Sequence, residues 1–325
     1  MKSVVKPILK KIINFFFKYL RKENYKIKKI IYNFEIDLDI LDIGATGGIQ
    51  KKWYLIKKIL NVSLVDAYEN SIFGNNKFKS LNIISKLFSS VADKNIKFNI
   101  AKYPLCSSVS EPNFDHINRY KGKINFFNAE SFKTTKQIEM ETETIDRSFF
   151  DKNLDFIKID AEGHHYEILE GATNTLEGVL GLEIECEFFQ IRKNQKVFSD
   201  VVKLMEKQNF EFIDFLNIHK WERDQFRFTG QPQHSDILFL RRPEDIVKKF
   251  NRNEISENVV LKYITIISIY NRADLLKFIN SFLNDHVINK YNLKQLHKLI
   301  EAKVKRLNRI LQIKELSEES VNNEI

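Results

Sequence analysis

The sequence is poor in cysteine, proline and glycine: its 325 residues include two, five and ten of them, respectively. Two cysteines, Cys106 and Cys186, cannot form a disulfide framework, so we expect a reducing, cytoplasmic compartment. No uninterrupted apolar run approaches the roughly 20 residues that a membrane-spanning helix needs, and we expect no cleavable signal peptide. These absences exclude disulfide-stapled secreted domains and proteins with membrane-spanning helices.

Basic residues outnumber acidic ones, 52 against 43, which gives a formal net charge of +9. Such a surplus can indicate a nucleic-acid or membrane partner. Here the lysines are spread through a chain rich in Lys, Ile, Asn and Phe. No zinc-finger spacing, RNP-type aromatic strand or helix-turn-helix pattern accompanies them. We therefore expect no nucleic-acid partner.

A short apolar strand at 38–43 runs into a glycine turn at 44–48. Glycine there permits positive φ and a close approach of a ligand to the backbone. Residues 49–60 carry the apolar stripe of an amphipathic helix, and a second strand over 62–69 ends in Glu69. Open α/β sheets build adenosine sites in this order, with the acid binding ribose hydroxyls.

Three details distinguish this turn from a pyrophosphate loop. Its spacing is not G-x-G-x-x-G, Asp42 precedes the first glycine by two residues, and the turn has no Lys or Arg. A carboxylate beside the loop suits a ligand with a cationic amino or sulfonium group better than a dinucleotide. Alone, the pattern also fits an ordinary connection between a strand and a helix.

The next part of the chain predicts short elements and one long loop. We expect a helix over 76–85, a strand over 86–92, and a turn that leads into a strand over 96–100. A polar loop follows at 102–120. Loops of this length without regular structure are usually functional or disordered, and we interpret this one as a lid over a site.

A second motif follows a mostly buried strand at 154–160. Acids and histidines are concentrated there as Asp160, Glu162, His164 and His165. Ligands bind at this end of the strands in doubly wound sheets. An acid that ends a buried strand needs a partner, which favours a functional role for Asp160.

Further periodic segments surround this motif. They predict strands over 137–144 and 179–188, a helix over 197–208, and a strand over 210–216 that pairs with 237–240. The predicted fold is therefore α/β with strands and helices in alternation.

Three separated segments carry the most specific pattern of the chain. They are LDIGATGG at 41–48, FIKIDAEG at 156–163 with ILEGA at 168–172, and GQ at 230–231 before SDILFLR at 235–241. Together they resemble the FkbM family of S-adenosylmethionine-dependent methyltransferases, over about 38–242. The Asp-x-Glu-Gly motif with the following Leu-x-Gly-Ala helix is the specific part of the match. The resemblance implies a class I methyltransferase fold, a Rossmann-like sheet of seven mostly parallel strands with one antiparallel hairpin strand.

The resemblance also implies bound S-adenosylmethionine and methyl transfer, typically to a hydroxyl oxygen of a sugar or natural product. The implied cofactor residues are Asp42, Gly44, Ala45 and Gly48 for the methionine part, Glu69 for the ribose and Asp93 near the adenine. Asp160, Glu162 and Gly163 would line the methyl-transfer side. Two positions depart from the family pattern: Thr46 replaces the middle glycine of the generic loop, and His165 replaces a more usual acid.

Methyl transfer to a hydroxyl needs in-line placement of the acceptor, which can supply roughly 7 to 11 kcal/mol, and removal of the hydroxyl proton. Histidine suits proton removal near neutral pH. We therefore expect Asp160, Glu162 and either His164 or His165 to be catalytic. Only one histidine can face the site, because neighbouring helix residues point about 100° apart. The alternative is that both cap a helix or lie on its surface.

Other interpretations stay open at this point. Asp160, Glu162 and Glu185 would also suit a divalent cation with oxygen ligands, although the pattern does not require a metal. Glu183 and Glu187 are predicted to face outward. The other function classes are a non-catalytic binding or scaffold protein of a glycan biosynthesis complex, and an NAD-linked oxidoreductase, which the glycine spacing disfavours.

Composition divides the chain into three predicted segments: 1–34, 35–242 and 243–325. The first is a basic amphipathic helix that would lie on an anionic membrane face or pack on protein. The second is the methyltransferase domain. The third has helical periodicity and would serve homo-oligomer contacts or partner docking. A glycan precursor as acceptor would fit a cytoplasmic protein peripheral to the inner membrane face.

Overall fold

The computed structural model describes residues 2–67, 78–121, 128–224 and 230–322. The chain forms two compact units. One contains Met1–Asp37, Lys51–Ile59 and Pro243–Ile325, and the other contains Leu38–Gln50 and Leu60–Arg242.

The second unit is built on a seven-stranded sheet. Its strands are β1 (Leu38–Ile43), β2 (Leu60–Asp66), β3 (Ser80–Ser85), β7 (Phe156–Ile159), β8 (Gly181–Glu187), β9 (Phe210–Trp221) and β10 (Gln231–Arg241). Their order is β3-β2-β1-β7-β8-β10-β9. All neighbours pair in parallel except β10, which is antiparallel to both β8 and β9. The predicted class I methyltransferase fold is confirmed.

A smaller three-stranded sheet belongs to the same unit. It contains β4 (Leu87–Phe88), β5 (Asn95–Ala101) and β6 (Thr134–Glu143), in the order β4-β6-β5. The helices of this unit are α2 (Phe114–Ile117), α3 (Ile145–Ser148), α4 (His165–Glu170) and α5 (Phe198–Lys207). In α5, Val201 and Met205 are fully buried one turn apart and join the core around the sheet.

The apolar residues of the central strands are buried because helices and loops cover both faces of the sheet. All four residues of β7 are buried, and Leu182 and Ile184 of the neighbouring β8 are inaccessible to solvent. The ends of β7 and β8 therefore lie side by side in this core. The acids and histidines of the second motif follow the end of β7.

The other unit is helical. It consists of α1 (Lys2–Tyr32), a 3-10 helix at Lys51–Ile59, α6 (Pro243–Asn251), α7 (Glu257–Ile269), α8 (Ala273–Phe282), α9 (Asp285–Lys290) and α10 (Leu293–Asn322). The first and last helices pack on each other, and Arg306 donates a 2.7 Å hydrogen bond to Glu23. Trp53 packs edge-on against Tyr270. Among the described residues, no helix has both the length and the apolar character needed to cross a bilayer.

The helical predictions before the small sheet were partly wrong. The described part of the predicted helix over 76–85 is strand β3, which pairs in parallel with β2. The predicted helix over 49–60 is a 3-10 helix with non-helical backbone at Ile56. Short apolar runs do not distinguish a helix from a strand by periodicity alone, so pairing with β2 decided the first case.

Other predicted elements are confirmed with small shifts of their ends. They are the strands over 96–100, 137–144 and 179–188, the helix over 197–208 and the hairpin of 210–216 with 237–240. The predicted strand over 86–92 is only the two-residue β4. The segments 1–34 and 243–325 lie in the same compact unit.

Candidate active site

The glycine turn and the second motif lie side by side in the sheet. Strands β1 and β7 are neighbours, and the backbone N–H of Asp160 donates to the carbonyl of Ile43 over 2.9 Å. Gly44 has a φ of +76°, and a Cβ atom added there would lie 1.7 Å from the carbonyl oxygen of Asp160. Only glycine fits this contact between the two motifs.

The two motifs open onto one cavity of about 600 Å³. Its polar lining includes Thr46, Asp66, Asp160, Glu162, His164, Glu185, Glu187, His219 and His234. Gly44 lies at the same opening. The cavity therefore combines a glycine turn with an unusually large number of carboxylates.

The end of strand β2 positions the turn. The backbone N–H groups of Gly44 and Ala45 both donate to the carbonyl of Val65, over 2.9 and 3.1 Å. The hydroxyl of Thr46 donates to Asp66 over 2.8 Å. Asp66 is the last residue of β2 and lines the cavity, so it occupies the position of an acid after the second strand.

The cofactor residues expected from the sequence are only partly at the cavity. Gly44 lines it, whereas Asp42, Ala45 and Gly48 do not; Gly163, expected on the methyl-transfer side, does not line it either. Glu69 lies outside the described residues. Asp42 is 2 % exposed, because it lies within β1 beneath the turn.

Asp93 is not at the cavity either, which corrects its expected place near an adenine. It lies at a turn with a φ of +60° between β4 and β5. Both of its carboxylate oxygens accept hydrogen bonds from Arg147, over 2.6 and 2.9 Å. Arg147 also lowers the pKa of the Asp93 carboxyl, through those hydrogen bonds. Asp93 is therefore an ion-pair partner of α3.

A buried lysine joins the two motifs electrostatically. Nζ of Lys158 in β7 lies 3.0 Å from Oδ2 of Asp160 and 3.7 Å from Oδ1 of Asp42. Burial alone lowers the pKa of Lys158, but the charges of Asp160 and Asp42 outweigh it and hold the pKa above its usual value. Lys158 therefore stays charged and stabilises both carboxylates.

Glu162 is held by Arg192 and by Ser108, which belongs to the loop over 102–120. Its Oε2 accepts a 2.8 Å hydrogen bond from Arg192, which is 1 % exposed. The hydroxyl of Ser108 donates to the carbonyl of Glu162 over 2.7 Å. Burial raises the pKa of the Glu162 carboxyl to about 7 against the opposing charge of Arg192. Although the side chain is three-tenths exposed, that exposure is toward the cavity.

The glutamates of β8 do not face outward, which corrects their predicted orientation. Glu183 is 1 % exposed and accepts a 2.6 Å hydrogen bond from Gln50. Glu185 and Glu187 line the cavity. Burial raises the pKa of Glu185 well above its usual value and that of Glu187 to about 7. Burial therefore disfavours the charged form of both carboxyls.

The two histidines differ in their positions. His164 lines the cavity, and its Nε2 shares a 3.1 Å hydrogen bond with the hydroxyl of Ser89. His165 is fully buried behind the cavity, with Nδ1 3.7 Å from Oε2 of Glu187. Burial lowers the pKa of each ring to about 4, so both are neutral at pH 7. Of the two candidates, His164 therefore lines the cavity, whereas His165, the first residue of α4, does not.

The loop over 102–120 lies against the cavity, as expected for a segment that covers a site. Its residues Pro104, Leu105, Ser107 and Val109 line it. The loop is not irregular throughout, since it contains a 3-10 helix at Pro104–Cys106 and the short α2. Hydrogen bonds between Asn99 and Ser108 join it to β5.

Two histidines of the cavity were not identified from the sequence. His219 in β9 and His234 in β10 stack with ring centroids 4.5 Å apart. Burial lowers the pKa of His234 to about 4, with a further contribution from His219. Aromatic side chains complete the cavity wall, with Phe132 and Trp221 edge-on to each other at 6.0 Å.

This sheet order, with its cavity at the ends of β1, β7 and β8, is that of a class I methyltransferase. Residues 75–212 match the family model of the methyltransferase FkbM domain, which confirms the family expected from the motifs. This part of the chain is similar to that family, and the match supports a methyltransferase.

Comparison with solved structures gave distant likenesses. Burkholderia thailandensis 1,6-didemethyltoxoflavin-N1-methyltransferase, crystallised with its substrate and S-adenosylhomocysteine, is 9% identical, with 69% of this chain and 78% of that chain covered and a TM-score of 0.31. Streptococcus pneumoniae Sp1610, described as a candidate tRNA (m1A22) methyltransferase, is 11% identical, with coverages of 82% and 93% and a TM-score of 0.28. Scores this low carry no functional argument. Among curated proteins, none matches the chain.

Proposed function

We propose that the protein transfers a methyl group from S-adenosylmethionine to a hydroxyl oxygen of a sugar, in a cell-surface glycan or its precursor. The observation that carries the proposal is the contact between Gly44 and Asp160, which places the glycine turn and the acidic motif at one cavity. A cofactor at the turn would thereby lie beside an acceptor at the acids.

The residues at the turn fit S-adenosylmethionine. The cofactor supplies a methyl group on a positively charged sulfur. Asp66 and Asp160 present carboxylates at the cavity beside Gly44, and carboxylates stabilise a cationic ligand in a site of low dielectric constant. A Cβ atom added at Gly47 would meet no atom within 4 Å, so the turn leaves open space there. Thr46 keeps Asp66 in place through its hydrogen bond.

The acceptor side favours a hydroxyl group. A base for a hydroxyl proton works best with a pKa near the working pH. The pKa of Glu162 and of Glu187 lies at about 7, whereas the neutral ring of His164 is a weaker base because its pKa is about 4. Glu162 or Glu187 is therefore the better proton acceptor, and His164 would position the substrate.

The aromatic wall fits the ring of a sugar. Small-molecule sites combine apolar and aromatic walls with a few convergent polar groups. Phe132 and Trp221 form such a wall, and Glu162, Glu185 and Glu187 provide hydrogen-bond acceptors for hydroxyl groups. A polyhydroxylated ring would use both features.

Calorimetric titration tests the cofactor. We expect one saturable site for S-adenosylhomocysteine on the full-length protein and no comparable binding of NAD. Thr46→Val removes the hydrogen bond to Asp66 and should weaken that binding about tenfold, the size of one lost hydrogen bond of about 1.4 kcal/mol. Thr135→Val, which removes a hydroxyl from the exposed part of β6, is the control and should bind normally. A protein that binds neither ligand would be a scaffold instead.

Mass spectrometry tests the acceptor. Surface glycans from cells with the intact gene should carry one methyl group more than glycans from cells without it. Complementation with a variant that carries both Glu162→Gln and Glu187→Gln should not restore the methyl group, because neither amide can take a proton. Glycans that are identical in all strains would contradict the proposed acceptor.

We also propose that the N-terminal helix contacts the anionic inner face of the membrane. Phe15 and Phe17 are 55 % and 43 % exposed on α1, and the neighbouring Lys18 and Lys22 are exposed as well. Aromatic and basic side chains together are typical of helices that lie at a membrane surface. This contact would bring the enzyme to lipid-linked acceptors.

A further inference from the structure

We propose that Asp160, Glu162 and Glu185 bind one divalent metal cation at the acceptor side of the cavity. One carboxylate oxygen from each residue lies within 4.8 Å of one from each of the other two. All three side chains line the same cavity. Three carboxylates at this spacing surround a position that a single small cation can occupy.

The sheet brings these residues together. Asp160 and Glu162 follow β7, and Glu185 belongs to the adjacent parallel strand β8. The register pairs Ile159 with Ile184, so Asp160 and Glu185 occupy the next positions of the two strands. The sheet therefore places Asp160 and Glu185 side by side, and the turn after β7 brings Glu162 to them.

Glu187 supplies an independent indication of a cationic ligand. It follows Glu185 by two residues on β8, so both side chains point to the same face, and it also lines the cavity. Its side chain is 5 % exposed, and its Oε2 accepts no hydrogen bond from a described residue, although Nδ1 of His165 lies 3.7 Å away. A buried carboxylate oxygen without a donor is costly, and a cation in the cavity would compensate it.

The protein's own cations do not neutralise this group of acids. Lys158 contacts Asp160 and is shared with Asp42, and Arg192 contacts one oxygen of Glu162. Among the described residues, no lysine or arginine forms an ion pair with Glu185. The four carboxylates of the cavity and Asp42 thus share two cationic side chains. Positive charge from a ligand would balance them.

Oxygen ligands indicate the class of metal. A site of carboxylates without cysteine or histidine ligands suits Mg²⁺, Mn²⁺ or Ca²⁺ rather than Zn²⁺. Mg²⁺ is usually bound by one or two carboxylates, with water and substrate oxygens completing its shell. The role of the cation rests on the proposed function. It would orient neighbouring hydroxyl groups of the sugar acceptor.

Electron paramagnetic resonance of Mn²⁺ tests the site without any turnover. Titration of the full-length protein with Mn²⁺ alone should show one bound ion per chain at submillimolar concentration. Glu185→Gln and Asp160→Asn should each weaken binding at least tenfold. Glu111→Gln removes an exposed acid that is paired with Lys193 and serves as the control, with unchanged binding.

Two results would overturn the metal site: no saturable Mn²⁺ binding up to millimolar concentration, or equal affinity in both cavity variants and the wild-type protein. Circular dichroism checks that each variant is folded. Asp160→Asn and Glu185→Gln change different parts of the sheet, so either variant alone tests the metal site if the other misfolds. Titration with S-adenosylhomocysteine in a metal-free buffer separates the two proposals. If the protein binds S-adenosylhomocysteine but not Mn²⁺, only the proposed metal site is contradicted. If it binds Mn²⁺ but not S-adenosylhomocysteine, only the proposed cofactor is contradicted.

Discussion

At the scale of single residues, the contact of Gly44 with Asp160 is the least tolerant feature of the site. Its φ of +76° is unfavourable for any residue with a side chain, and an added Cβ atom would overlap the carbonyl oxygen of Asp160. The backbone of β1 or β7 would have to move at the edge of the cavity.

We expect Gly44→Ala to lower the free energy of unfolding by more than about 2 kcal/mol and to weaken S-adenosylhomocysteine binding at least tenfold. Urea denaturation and calorimetry measure the two effects. Gly178→Ala is the matched control, because Gly178 has a φ of −86° and its added Cβ atom would meet only the Thr175 carbonyl, at 3.9 Å. Normal cofactor binding by a folded Gly44→Ala protein would contradict this account of the turn.

The sequence predicted the acids of the second motif better than the histidines. Asp160 and Glu162 are recognisable because they end a buried strand, where ligands collect. The sequence did not distinguish His164 from His165, because it does not determine which of two adjacent residues at the start of a helix faces the site. Only the packing of α4 against the core decided that His164 faces the cavity.

At the scale of elements, the corner between β6 and α3 depends on a network of charges. Glu143 at the end of β6 accepts hydrogen bonds from Arg147, from the backbone of Thr144 and from Lys86. Burial opposes its charge, but these donors outweigh it and lower the pKa of Glu143 to about 2. Arg147 also holds Asp93, so one guanidinium joins β6, α3 and the turn before β5.

This lowered pKa predicts a loss of stability in acid. The folded protein holds Glu143 ionised down to about pH 2, whereas the unfolded chain protonates it near pH 4.5, so its contribution is complete above pH 4.5 and disappears toward pH 2. We expect Glu143→Gln to lower the free energy of unfolding by about 1 kcal/mol at neutral pH, because solvent screens its half-exposed partners Arg147 and Lys86. Unfolding in urea at several pH values measures it.

The control for this prediction lies on the same strand. Glu139 is exposed on β6, four residues before Glu143. Glu139→Gln should therefore leave the stability curve within about 0.5 kcal/mol of the wild type at every pH. If the free energy of unfolding falls equally with pH below about 4.5 in the wild type and in Glu143→Gln, the network does not stabilise the corner.

Element types were predictable where a long pattern or a defined motif existed. The hairpin of β9 and β10 was predicted from its alternation, and the pairing of Phe215 with Ile237 matches it. The pairing of His219 with His234 does not follow from that register, because an irregularity lies between Asp236 and Ile237. Bulges change which residues lie opposite each other, so this histidine pair was not visible in the sequence.

At the scale of the whole molecule, the N-terminal helix predicts binding to anionic vesicles. We expect the full-length protein to sediment with vesicles that contain anionic lipid and not with zwitterionic ones, because each lysine near the surface adds about 1 kcal/mol. Replacing Phe15 and Phe17 by serine should weaken binding several-fold. These changes remove exposed side chains and leave the packed face of α1 intact.

Phe150→Ser provides the control for the vesicle experiment. Phe150 is 85 % exposed, more than either helix residue, but lies in the unit that contains the sheet. Its replacement should not change sedimentation. Equal vesicle binding by the double variant and the wild type, or no binding by either, would refute membrane contact through this helix.

The sequence by itself determined the methyltransferase fold and the two motifs, because a glycine turn after an apolar strand and an acid at a strand end are local patterns. It also identified the three acids that we assign to a metal. The tertiary structure alone decided that Glu187 faces inward, that Asp93 belongs to a corner of charges and that His165 lies behind the cavity. Whether a side chain faces the cavity depends on which strands pair with each other, and this pairing exists only in the folded sheet.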